Sequence, residues 1–306
     1  MMKRTIVLLL LTFLCVCLPA CGNRSEDVQA KFLELIGEPA AAEHLSEVVE
    51  YMDETVPSLD IKTASSIVAA YEDYLYEYTK NGTEQMEIEN LKYYCDTGSG
   101  TVDRTKIKGT ESELLYNNLL GACAAVSFSE GAVTVNVDYG ELLAHYGEYL
   151  QDGLKAFYEF AEEINEEPLT EGAVLQVSWN QILDRAKTAE QLLAEYGKDP
   201  LIRKDVLPIY QTYLRVLLMG TTNTPVFDYT TKAFSQEAKA AEDVFVSQNR
   251  QLVITWVLAE YHEKLKELDY SLDLNDSEAG KAFFDDCEYL VKEAAKKVLE
   301  QNESDD

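Results

Sequence analysis

Basic residues are scarce in this chain of 306 residues: 26 Lys and Arg face 55 Asp and Glu, a formal net charge of -29. Nucleic-acid binding needs clustered cations that displace phosphate counterions, and no such cluster occurs, so no nucleic acid is expected as partner. An anionic lipid surface is repelled for the same reason, whereas cationic peptides, polyamines, metal ions and basic proteins are attracted. Histidine is scarcer still, at three residues. Gly-x-Ser-x-Gly, P-loop, glycine-rich dinucleotide and His-Glu-x-x-His patterns are missing, which argues against catalysis by a familiar motif and implies no cofactor. Seven prolines and fifteen glycines never gather into a linker that would divide the chain. An EF-hand-like start at Asp273, Asn275 and Ser277 fails where Glu278 stands for the turn glycine and Phe284 for the bidentate acid.

What the chain does have is helical periodicity. Leu45, Val48, Val49, Met52 and Val56 fall on one stripe, and Ala64, Ile67, Val68, Tyr71, Tyr74, Leu75 and Tyr78 on the next. The spacing predicts further helices over 84–95, 115–126, 142–164, 178–196, 200–220, 229–246, 248–268 and 275–298. Thr110 with Glu113, Asp138 with Glu141 and Ser178 with Gln181 read as capping boxes, Asp199-Pro200 as a helix start, and Ser58 and Asn275 as N-caps. Only Val133, Val135 and Val137 alternate with polar residues, so a minor β element near 132–137 is the most sheet expected. With 46% apolar residues, the expected fold is all-α, a multi-helix bundle of roughly eight to ten antiparallel helices in a single domain over 40–299. Residues 300–306 read as a frayed, disordered acidic tail.

The N-terminus carries an address. Lys3 and Arg4 precede an apolar run from Thr5 to Leu18, closed by Pro19, Ala20 and Cys21. A membrane span needs about twenty apolar residues, more than this run supplies, so residues 1–20 read as a signal peptide. Leu18-Pro19-Ala20-Cys21 resembles the lipobox of bacterial lipoproteins. That resemblance implies cleavage before Cys21, diacylglyceration of its thiol, and a cell-membrane protein anchored by lipid on the extracytoplasmic face of the cell envelope. Each buried methylene of an acyl chain adds ~0.8 kcal/mol to such anchoring. Residues 21–39 would then form a lipidated tether with a first short helix. Cys15 and Cys17 would leave with the signal, and Cys95, Cys123 and Cys287 cannot make a closed disulfide framework; each falls on a helical stripe, with one pair, Cys95 and Cys123, left open.

Tyrosine is abundant, at 19 residues. Tyr71, Tyr74, Tyr76 and Tyr78 lie among Glu72, Asp73 and Glu77, a combination that can stack on a sugar or hold a cation against a ring, and they form the ligand-binding candidate. The bland alternative places Tyr71, Tyr74 and Tyr78 on the core stripe. Two His-x-x-Glu spacings, His44 with Glu47 and His145 with Glu148, set an imidazole and a carboxylate on one helix face, where both could reach a metal. Ala42-Glu43-His44-Leu45-Ser46-Glu47 resembles, over six residues, the Gly-x-His-x-x-Glu motif of imelysin-like proteins, with Ala42 in place of the glycine. The resemblance implies an all-helical surface protein linked to iron, with His44 and Glu47 as metal ligands and a hydrolytic role. The favoured expectation is a lipid-anchored binding or interaction module for a cationic, peptide or glycan partner, and the metal-dependent protein is the alternative.

Overall fold

Apolar stripes at helical spacing bury one face of most segments, and in the computed structural model this yields thirteen α-helices and two small β-hairpins among the described residues. Those residues are 22–81, 84–96, 98–129 and 131–303. Residues 1–20, expected as a signal peptide, and Cys21, the expected lipidation site, lie outside them. The mainly helical expectation holds. The chain forms two compact units, one ending at Glu159 and one beginning at Phe160.

The first unit contains α1 (Gly22–Leu35), α2 (Ala42–Thr55), α3 (Ile61–Asn81), α4 (Gln85–Asn90), α5 (Arg104–Ile107), α6 (Ser112–Gly121), β1 (Ala124–Ser129), β2 (Ala132–Val137) and α7 (Tyr139–Tyr146). α8 (Asp152–Glu166) opens here and closes in the second unit. Leu45, Val48 and Met52 of α2 and Val68, Tyr71 and Leu75 of α3 are fully buried, as their stripes predict. α3 starts at Asp60, whose carboxylate accepts from Thr63 N at 3.0 Å and Thr63 Oγ1 at 2.7 Å. Those hydrogen bonds hold its pKa below the usual carboxylate value. Ser58, expected as the cap, sits in a 3-10 turn and donates to Thr55 O.

The helix expected over 115–126 stops at Gly121. Cys123 takes a left-handed φ of 54° and turns the chain into β1. β1 pairs antiparallel with β2 from Ala124↔Val137 to Ser129↔Ala132, so Val126 faces Val135 and Ser127 Oγ lies 2.7 Å from Thr134 Oγ1. The cross-strand partners compensate for what six residues of Ala, Val, Ser and Phe lack as a helix end. Thr110 and Glu113 form no capping box: Thr110 donates to Ile107 O, and Glu113 accepts from Gly109 N. The helix expected over 84–95 is α4 followed by a 3-10 turn, Leu91–Tyr94, and the one over 142–164 is broken by a turn at Gly147–Tyr149.

The second unit holds a hairpin of β3 (Thr170–Glu171) and β4 (Val174–Leu175), then α9 (Trp179–Tyr196), α10 (Pro200–Met219), α11 (Gln236–Gln248), α12 (Val253–Glu267) and α13 (Ser277–Glu303). Gly172 and Ala173 both take positive φ, 54° and 60°, as a two-residue hairpin loop with right-handed strand twist requires. Ser178 and Gln181 form the full capping box, and Asp199 accepts from Leu201 N at 2.9 Å ahead of Pro200. Pro208 stays inside an unbroken α10. No helix begins at Tyr229, because Asp228 Oδ1 accepts from Thr230 N and Thr231 N and folds that stretch into a turn. Asp276, and not Asn275, caps α13 through Glu278 N and Ala279 N. Residues 300–303, expected in a disordered tail, continue α13.

Candidate functional site

The four candidate tyrosines separate according to helix phase. Tyr71 and Tyr78 are buried in the core: Tyr71 OH donates to Ala122 O at 2.7 Å, and Tyr78 OH to Glu84 Oε2 at 2.9 Å. Burial raises both phenols above their ordinary value, and beside Glu84 the carboxylate adds to the rise at Tyr78. Tyr74 is half-buried, donates to Glu38 O, and is pushed up to about 12 by burial. Tyr76 points away from that stripe and is 47% exposed, with Lys80 Nζ 3.9 Å from its ring centroid. An exposed set of four rings therefore does not form, and the one exposed face is already covered by a cation of its own helix.

One histidine keeps the partner its spacing implies and the other does not. His44 Nε2 lies 2.8 Å from Leu35 O, so that nitrogen is engaged by backbone, while Nδ1 is 3.3 Å from Glu47 Oε2. The ring stands edge-on to Tyr74 and is mostly covered. His145 Nδ1 meets Asp53 at 2.9 Å on α2, and its Nε2 approaches Glu141 at 3.8 Å; Asp53 also accepts from Tyr146 OH. Glu148, the spacing partner, makes neither contact. Among the described residues no three His, Cys, Asp or Glu side chains gather as a metal site. Cys95, Cys123 and Cys287 are free and buried, and only Cys287 sits on a helix.

The third histidine pairs across helices in the second unit. His262 Nε2 on α12 lies 2.7 Å from Glu242 Oε2 on α11, and Glu242 is fully buried with Oε1 unpartnered. Burial raises the Glu242 pKa, opposed by His262. Glu190, also buried, accepts from Val253 N at 2.6 Å, Ile254 N at 2.9 Å and Tyr210 OH at 3.0 Å, which fixes α12 against α9 and α10.

Between α12 and α13 a cleft of about 190 Å³ opens. Tyr261, Leu272, Phe283, Cys287 and Leu290 line it, and Lys264, Glu267 and Asp286 stand at its lip. Lys264 Nζ reaches Asp286 at 3.3 Å and Glu267 at 3.8 Å. The hydrogen bond to Asp286 leads in raising the Lys264 pKa. Tyr261 OH donates to Leu218 O at 2.7 Å, and Phe283 packs edge-on to Phe227 at 5.3 Å, so the walls are held from behind. Burial raises the Cys287 thiol far above its ordinary value, leaving it neutral and apolar in this wall. Periodicity marks Phe283, Cys287 and Leu290 as core; only their meeting with α12 turns them into a cleft. No family model, curated protein or solved structure matches this chain.

Proposed function

We propose that this protein is a lipid-anchored, extracytoplasmic binding module of the bacterial cell envelope, an antiparallel helical body that engages a cationic peptide, or a glycan, near the membrane. The observation that carries it is Leu18-Pro19-Ala20-Cys21 directly after a cationic start and a short apolar run. The net charge of -29 supports a cationic partner and disfavours polyanions. Among the described residues no helix is long and apolar enough to cross a membrane, and acyl chains on Cys21 would supply the tethering in this proposal. The cleft between α12 and α13 is the concave apolar surface that such a module would use.

Expressing the full chain and its Cys21→Ala variant in bacteria fed an alkyne fatty acid tests the anchor. The wild-type protein is expected to take up the label and sediment with membranes, and the variant to lose both properties. An unlabelled wild-type protein, or a variant that stays with membranes, would sink the proposal.

A further inference from the structure

We infer that the cleft between α12 and α13 binds a cationic peptide by one aromatic or branched apolar side chain whose neighbouring ammonium or guanidinium group sits at the lip. The inference names the ligand of the binding role proposed above and rests on it. About 190 Å³ lies between Tyr261, Leu272, Phe283 and Leu290. An apolar cavity of roughly 150 Å³ accommodates benzene, so this space suits one ring or one branched side chain, and is too small for a cofactor. Because the walls are fixed by Tyr261 to Leu218 and by Phe283 to Phe227, the cleft keeps its shape without a ligand.

The lip decides the sign of the ligand. Glu267 and Asp286 share a single cation, Lys264, so the mouth carries an excess negative charge. Lys264 occupies the place a ligand's cation would take. Side-chain exposures of 50% for Lys264, 72% for Glu267 and 55% for Asp286 make these ion pairs weak and readily exchanged. The neighbouring acids are engaged along their own helices, Glu263 with Lys266 and Asp285 with Lys281, and do not compete. An anionic ligand would instead meet two carboxylates and a lysine already paired. Ala282, exposed at the rim of α13, leaves the mouth open.

The test is equilibrium dialysis of the full chain in phosphatidylcholine nanodiscs, against empty nanodiscs, with phenethylamine and with 3-phenylpropionate, which share a ring and differ in charge. Phenethylamine is expected to bind saturably and about ten-fold more tightly than 3-phenylpropionate, from exposed charge pairs at the lip. Lys264→Met should tighten phenethylamine by about two- to five-fold, and Glu267→Gln with Asp286→Asn should weaken it by a similar or larger factor. Ala282→Trp should abolish binding while helicity and melting temperature are retained. Absence of saturable binding, equal or tighter binding of 3-phenylpropionate, or no gain from Lys264→Met would overturn the inference. Should Ala282→Trp misfold, the exposed-site variants at 264, 267 and 286 decide alone. Membrane labelling at Cys21 is read separately, so failure here and failure of the anchor are distinguishable.

Discussion

Neither Ala41 before α2 nor Leu252 before α12 has a side chain that can cap its helix, and at both starts a distant glutamate supplies the missing acceptor. Glu84 accepts from Ala42 N and Tyr78 OH, and Glu190 accepts from Val253 N, Ile254 N and Tyr210 OH. Buried donors stripped of their acceptor keep their desolvation cost, so Glu190→Ala should destabilise by about 2–4 kcal/mol in urea unfolding at neutral pH. Glu190→Gln, which keeps one acceptor oxygen, should be milder; equal losses for the two would count against the capping role. The pH dependence follows from burial. Glu190 and Glu242 both have native pKa values raised above 4.5 by desolvation. The proton is then held more tightly in the folded chain, so this stability is fully present below about pH 4.5 and is lost as pH climbs through the raised native value. Comparing denaturation midpoints across pH, Glu242→Gln is expected to flatten that decline relative to wild type; an unchanged slope would show that His262 fully offsets the burial.

Among the elements, α6 and α2 pack closely because Gly121 has no side chain: a Cβ there would lie 2.7 Å from Ser46 Oγ. Gly→Ala at a helical site gains about 0.5–1 kcal/mol, so the sign of Gly121→Ala depends on its neighbour. It should be neutral or destabilising alone and stabilising in a Ser46→Ala background, as measured by a double-mutant cycle. Elements were legible where end signals are local. Ser178 with Gln181 and Asp199 with Pro200 announce α9 and α10, since each cap and its target lie within three residues. β1 was not legible, because Ala124–Ser129 carries a weak pattern and its strand character comes from Val133, Val135 and Val137 opposite. The four tyrosines divide at the same scale: a helix turns Tyr71 and Tyr78 inward and Tyr76 outward, so nearness in the chain does not make a surface set.

For the whole molecule, 55 acids against 26 bases make self-repulsion outweigh the exposed ion pairs, which each contribute little. Raising NaCl from about 10 to about 300 mM should therefore raise the melting temperature as repulsion is screened; a fall would mean that the ion pairs dominate. Helix content, the excess of acidic residues and the α9 and α10 starts are set by the sequence alone, because periodicity, charge and end chemistry act between residues a few positions apart. The cleft, the Glu190 bridge to α12, the Glu242 to His262 pair and the replacement of Glu148 by Asp53 as the partner of His145 were decided only by tertiary structure. There, a side chain's partner is whichever group packing brings within about 3 Å, and no spacing along the chain records that Lys264 will face Asp286.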